Sequence, residues 1–252
     1  MIDTHCHLYD KKLINDLDDI VINAKNANII KMICIGDSIE TSKKSIEISE
    51  TYNQIYASFG IHPHEAREAP NLYLDIIKKN AVHKKVVAIG EIGLDYHYNF
   101  SDPKIQKKVF REQLELAKEL DLPAVVHCRN ADEDLYNIIS ESKHSKGVVH
   151  CFASDISFAN KIIDLGFKIS FTGMITFVKH LEIVIKAIDL KHLLIETDSP
   201  YLTPIPYRGK TNQPAYVKQI AKAIASIKNI SIEEVDKITT ENAFLLFNKL
   251  SN

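Results

Sequence analysis

Short apolar runs alternate with longer amphipathic stretches along the whole chain. Candidate strands are centred near Ile2, Ile33, Ala57, Ala88, Val125, Val148, Ile169 and Leu194, and helical periodicity fills the intervals. No Gly/Ser-rich or Pro-rich linker interrupts the series, and the β-then-α units run to about 20 to 35 residues each. Eight such units predict an α/β fold, a (β/α)8 TIM barrel, rather than an open sheet.

Helix signals sharpen this picture at two places. Asp102 followed by Pro103 reads as an N-cap and first helical residue, and Ile105, Val109, Leu116 and Leu120 then form an apolar stripe between strands four and five. Near the C-terminus, Ser231 and Glu234 read as a capping box ahead of Val235, Ile238, Leu245 and Leu246. This last helix exceeds the eightfold repeat. It is expected to cover the outside of the barrel within a single domain spanning 1–252.

Composition changes the picture little. A 252-residue chain with 45% hydrophobic and 25% charged residues can bury one large core, which excludes disordered and fibrous classes. The net charge of -2 gives no broad basic surface for gripping duplex DNA, so any nucleic-acid contact must be local. The four cysteines, Cys6, Cys34, Cys128 and Cys151, are expected to be small buried hydrophobes facing the helices, because strand alternation turns Cys6, Cys128 and Cys151 away from the neighbouring histidines. With no secretory leader and no apolar run of membrane-spanning length, the expectation is a cytoplasmic protein with no membrane association. No obligate protein partner is evident.

The chemistry sits where the apolar runs stop. Segments 1–7, 86–91, 124–127, 147–150 and 193–198 end on or carry His5, His7, Glu91, His127, His150 and Asp198. In such a barrel the carboxyl ends of the strands form the active face, so these side chains converge at one mouth. A lone buried histidine is ordinarily a core residue, but donors in register at five strand ends point to metal. Imidazole and carboxylate together suit Zn, Mn, Fe or Mg, and this many donors can hold two divalent ions. Glu91 is the natural bridge between ions about 3.5 to 4 Å apart. His5, His7 and Asp198 would then hold one ion, and His127 with His150 the other. Asp198 is also placed to accept a proton from an activated water, and its two roles are not separable from sequence.

Six ordered motifs, Asp-Thr-His-Cys-His at 3–7, Gly-Ile-His-Pro-His at 60–64, Gly-Glu-Ile-Gly-Leu-Asp-Tyr at 90–96, His-Cys-Arg at 127–129, His-Cys-Phe at 150–152 and Glu-Thr-Asp-Ser-Pro-Tyr at 196–201, are similar to those of the TatD family of metal-dependent deoxyribonucleases. The resemblance implies a barrel of the metallo-dependent hydrolase superfamily. It implies cleavage of DNA phosphodiester bonds with Mg, Mn or similar ions such as Zn. The metal set and the modest net charge add the expectation of exonuclease-like action on single strands or strand ends. The resemblance places the family's metal ligands on the same six residues, and its additional active-site histidine on His62, as a phosphate contact or as proton donor to the leaving group. His64, Arg129 and Tyr201 are substrate-binding candidates, Arg129 through a bidentate clamp on phosphate. Arg208 and Lys210 could line the groove, and Tyr96, Tyr98 or Tyr201 could stack a base. The chain departs from the family pattern at Asn130, Ala153, Ser154 and Thr211, which bears on the substrate groove and not on the metal set.

Two other readings compete. The same barrel and metals can attack a carbonyl, as an amidohydrolase-like enzyme or an aminoacyl-RNA deacylase would. A binding protein on a barrel without catalysis would be free to lose donors, and this chain retains all six.

Overall fold

The computed structural model describes residues 1–98 and 100–251, the last of these by its backbone alone. Its strands are β1 (Ile2–Cys6), β2 (Lys31–Cys34), β3 (Ile55–Phe59), β4 (Val86–Asp95), β5 (Ala124–Arg129), β6 (Gly147–Val149), β7 (Lys168–Phe171) and β8 (Leu193–Ile195). They pair in parallel in chain order, and each expected strand is present. The helices are α1 (Leu17–Asn26), α2 (Ile39–Thr51), α3 (Tyr73–Ala81), α4 (Pro103–Glu119), α5 (Asp132–Ser142), α6 (Ile156–Asp164), α7 (Leu181–Ala187), α8 (Val217–Lys228) and α9 (Ile232–Leu246). The result is the predicted (β/α)8 barrel. None of its helices is long and apolar enough to cross a membrane among the described residues.

The ring closes just beyond β8. Asp198 N donates to His5 O at 2.9 Å and His7 N to Ser199 O at 2.8 Å, so the seam lies at the carboxyl-terminal mouth. Asp3 reinforces it, accepting from Thr197 N at 2.8 Å and Thr197 Oγ1 at 2.6 Å.

The floor is sealed by the C-terminal segment. Ile2, Ile33, Val87, Val125, Val148 and Leu194 form an interior cluster that continues into Ala243, Phe247 and Leu250. Phe247 is fully buried, whereas Leu245 is 78% exposed. Asn242 Nδ2 donates to the carbonyls of Leu190 and Leu193, and Lys249 Nζ to those of Ala81 and Val86, all at the amino-terminal end of the strands. The extra helix therefore covers the outside with Val235 and Ile238, as expected, and in addition its C-terminal end and the residues after it plug the barrel's bottom, where the apolar interior would otherwise open to water. Ser231 caps α9 by accepting from Glu234 N at 3.1 Å.

Helix α4 also differs from its sequence pattern. Asp102 caps it as expected, but Ile105 is exposed, and the buried face includes Gln106 and Gln113. Both amides clamp backbone of the mouth: Gln106 bonds Asp95 N and O, and Gln113 bonds Ile61 N and O. Buried polar groups matched in this way disguise a core face as a polar one.

Strand β4 runs on to Asp95 through a register shift between Ile89 and Ile92, and Gly93 pairs with His127. Gly93 has φ 136°, and a Cβ there would overlap His127 O. Gly93→Ala is expected to cost about 3 kcal/mol, from left-handed strain plus the clash. A lowered urea midpoint at unchanged m-value would show it; an unshifted midpoint would mean that the ladder relaxes freely.

Candidate metal centre

His5 lies on β1 and His7 is the residue just past its end, and both rings enter the mouth. Their Nε2 atoms are 3.1 Å apart. The seam brings Asp198 beside them at φ 54°, a left-handed conformation that Asp tolerates better than most residues. Asp198 Oδ1 lies 3.3 Å from His7 Nε2 and 3.6 Å from His5 Nε2.

Glu91 splits its two oxygens between two groups of imidazoles. Oε2 is 3.4 Å from His5 Nε2 and 3.9 Å from His7 Nε2. Oε1 is 2.8 Å from His150 Nε2, 3.0 Å from His127 Nδ1 and 3.3 Å from His62 Nε2. All six expected donors thus meet in one place, with His62 as a seventh neighbour. Three trios have converging donor atoms among the described residues: His5, His7 and Glu91; His5, His150 and Asp198; His62, Glu91 and His127. His150 therefore stands between the two expected sets, its ring stacked on His5 at 4.0 Å.

Neither Glu91 nor His127 ends its strand, contrary to expectation. β4 continues to Asp95 and β5 to Arg129. Sequence reading stopped at the end of the apolar run, but a parallel ladder is held by its backbone. The continuation contributes Asp95, whose Oδ2 accepts from His127 Nε2 at 3.0 Å and His64 Nε2 at 2.9 Å. Two further outer carboxylates were also missed. Tyr9 donates to Asp37 Oδ2 at 2.9 Å and so accepts from His7 Nδ1 at 2.8 Å, which leaves the His7 Nε2 lone pair facing the centre. Glu196 Oε1 lies 3.4 Å from His150 Nδ1, an ionic contact, and both Glu196 oxygens are fixed by Cys151 N and Ser170 Oγ. Such outer partners orient ligating histidines.

His62 caps a 3-10 turn (Pro63–Glu68), its Nδ1 accepting the His64 backbone N–H at 3.1 Å. The neutral ring therefore carries its proton on Nε2, the atom facing Glu91. Burial pushes His62 down to about 4, with Glu91 only partly resisting and His127 adding to the fall. Burial would raise Glu91, but the imidazoles of His150, His62 and His127 hold it well below the usual carboxylate range. His7 rises to about 9, its burial outweighed by Asp198. His150 is likewise carried well above its ordinary value, burial being outweighed by Glu91 and Glu196.

These groups line a cavity of about 820 Å3 at the mouth, whose wall also includes His64, Arg129, Tyr98 and Tyr201. The Arg129 guanidinium lies over the Tyr98 ring at 4.8 Å, and Tyr201 is half-exposed with its hydroxyl on Asp10. Tyr96 instead donates to Asp134 at 2.7 Å and is not part of the wall. Arg208 binds Thr203 O and covers Phe177, and neither it nor Lys210 lines the cavity. Of the departures from the family pattern, Asn130, Ala153 and Ser154 line it and Thr211 does not. Cys6 and Cys34 are buried in the outer core as expected. Cys128 packs against the same outer core and its thiol donates to Asp132 Oδ1 of α5 at 3.3 Å, facing a helix as expected while also bordering the cavity. Cys151 is a correction, since it lines the cavity. Cys151 has φ 46°, which breaks the strand alternation on which the expectation relied.

The donor set fits a divalent ion. Imidazole nitrogens 3.1 Å apart, each within reach of an ionised carboxylate, form a nest of lone pairs that a cation satisfies. A parallel barrel with such a nest at its carboxyl-terminal mouth defines a metal-dependent hydrolase. The model of the family described as "TatD related DNase" matches residues 2–248. The "Uncharacterized metal-dependent hydrolase YabD" of Bacillus subtilis (strain 168) is 42% identical over 251 residues, covering 98% of each chain. The "Uncharacterized metal-dependent hydrolase YcfH" of Escherichia coli (strain K12) is 34% identical, covering 98% of this chain and 95% of its own. The crystal structure of YJJV, a TatD homolog from Escherichia coli K12, superposes with a TM-score of 0.94 at 29% identity, covering 98% of each chain. The chain belongs to the TatD related DNase family.

Proposed function

We propose that the protein hydrolyses phosphodiester bonds of DNA, taking a strand end into the barrel mouth, with two divalent ions of the Mg, Mn or Zn kind. The observation that carries this reading is the division of Glu91, one oxygen toward His5 and His7 and the other toward His127 and His150. His5, His7 and Asp198 would hold one ion and His127 with His150 the other, Glu91 bridging them. Bound there, divalent ions would polarise a phosphoryl oxygen and lower the pKa of a water. The packed barrel interior of Ile33, Val87, Val125, Val148 and Leu194 leaves no passage below the mouth, so a strand can enter the cavity by an end but cannot be threaded through the barrel.

The chain's own residues then take these roles. Asp198 lies among the converging donors, in position to accept a proton from the attacking water. His62, neutral near pH 7 and with its proton on Nε2, is suited to donating a hydrogen bond to a phosphoryl oxygen. That favours the phosphate contact over proton donation by an imidazolium. Arg129 supplies a cation in a wall otherwise rich in carboxylates, including Asp10, Asp37 and Glu65.

The test is metal-reconstituted protein with end-labelled single- and double-stranded DNA, run beside amide, ester and aminoacyl substrates. Release of nucleotides with Mg or Mn is expected. No product from DNA with Mg, Mn, Zn and Co alike would sink the assignment, and turnover of an aminoacyl ester would move it to the carbonyl branch. Arg129→Ala should raise KM about tenfold with kcat nearly unchanged, the loss of one charge-assisted contact of ~1.5 kcal/mol. An equal fall in kcat would instead place Arg129 on the reacting phosphoryl group.

A further inference from the structure

Asp95 lies four residues beyond Glu91 on β4, the two carboxylates meet opposite nitrogens of the same His127 ring at 3.0 Å each, and the Asp95 side chain is 1% exposed. Every polar atom it has is committed. Its backbone N and O are held by the Gln106 amide at 2.8 and 2.9 Å, and Oδ1 accepts from His97 N at 2.9 Å and Tyr98 N at 3.1 Å. Only Oδ2 faces the mouth, where it meets His127 Nε2 and His64 Nε2 at once, at 3.0 and 2.9 Å.

An ionised carboxylate accepts and never donates, so both rings must carry a proton on Nε2. For His127 this leaves the Nδ1 lone pair pointing inward, 3.0 Å from Glu91 Oε1 and 3.2 Å from His150 Nε2. The opposite tautomer would aim an N–H at the place where an ion has to sit. For His64 the same oxygen fixes a ring that lines the cavity beside Tyr98 and Phe100, at centroid distances of 5.5 and 4.8 Å.

We propose that Asp95 is a positioning residue that sets the tautomers of two histidines through one oxygen, making His127 a ligand of the second ion and His64 a fixed wall of the substrate cavity. This rests on the two-ion reading. Its consequence is that loading of the second ion depends on a carboxylate outside the ligand set, whereas loading of the ion held by His5, His7 and Asp198 does not.

Cobalt(II) titration, followed by its visible absorption and by metal analysis after dialysis, separates these outcomes without turnover. The wild-type protein is expected to take up two equivalents. Asp95→Asn has the same shape but can present an N–H to the imidazoles. It should retain the first equivalent and bind the second about 10- to 100-fold more weakly, with a changed second-equivalent spectrum. His64→Gln, which removes the other ring from Oδ2, should bind both ions within about twofold of wild type and raise KM for the DNA end, since the His127 tautomer is still set. Two equivalents bound by Asp95→Asn with wild-type affinity would overturn the proposal while leaving the two-ion reading intact. A single equivalent in the wild-type protein would remove both. Retention of the first equivalent and of the melting temperature certifies that Asp95→Asn has folded. If it has not, Asp95→Glu is read in the same way, since a displaced carboxylate should also weaken only the second equivalent, and unchanged affinity there overturns the proposal.

Discussion

Replacing Glu91 by glutamine is expected to reduce hydrolysis at least about 1,000-fold, equivalent to ~4 kcal/mol of lost transition-state stabilisation. The side chain keeps its size, so the effect comes from charge and from the second oxygen. In the native chain one oxygen meets His150, His127 and His62, and the other meets His5 and His7. A glutamine can offer an oxygen to one group only and must turn an N–H2 toward the other, where imidazole lone pairs or an ion would have to face it. The carboxylate's charge is also lost from a site where the imidazoles hold Glu91 ionised far below its usual range despite burial. Metal analysis alongside kcat/KM checks this, with both activity and bound metal expected to fall. If Glu91→Gln turned over within tenfold of wild type and still held two ions, Glu91 could not be the bridge. The comparison with Asp95→Asn is informative, because an outer residue should weaken one ion and the bridge should disturb both.

What was legible in the sequence is the part set by periodicity. Eight apolar runs at β-then-α spacing specify the barrel, and donors at their ends specify a mouth, because side chains at those positions of neighbouring parallel strands have nowhere else to go. What escaped is polar and buried. Asp95 follows Glu91, Ile92, Gly93 and Leu94 in a segment that no longer reads as an apolar run, yet the ladder with β5 persists to Asp95 and Arg129. Its signal was the glycine: Gly93, two residues before Asp95, stands where His127 O approaches too closely for any Cβ, which marks a strand still paired beyond Glu91. Glu196 similarly sits two residues before Asp198 and holds His150 from behind. Cys151 was misplaced because alternation was carried through a residue at positive φ, where it does not apply. The floor plug escaped notice because Phe247 lies just past the end of α9, outside any helical stripe.

Stripped of metal, the protein should lose stability as pH rises from about 6.5 to 9, and the added stability from metal should grow over the same interval. Without an ion, the centre is held together by ion pairs between Glu91 or Asp198 and protonated imidazoles. His7 has its folded-state value raised to about 9, with burial outweighed by Asp198. A raised value contributes stability that is fully present below the unfolded value near 6.5 and lost as pH climbs through the folded one. His150, raised by Glu91 and Glu196 against its burial, acts with the same sign. So does Asp3, which burial carries up to about 8, its contribution fading from the ordinary carboxylate range upward. His5 and His62 are depressed, chiefly by burial, so their contribution is complete above 6.5 and does not oppose the trend in this window. The linked loss for His7 alone is ~3 kcal/mol, or roughly 5 to 10 °C in melting temperature for a chain of this size. Ions bind the deprotonated rings, so metal uptake has to displace the protons on His7 and His150 and becomes easier as those protons leave. Melting curves of chelated and Mn-loaded protein at pH 6.5, 7.5 and 8.5 should therefore diverge, the chelated midpoint falling and the metal increment rising. A chelated midpoint that rises with pH would mean that the imidazoles are neutral in the metal-free fold, and the ion-pair account of the empty centre would fail.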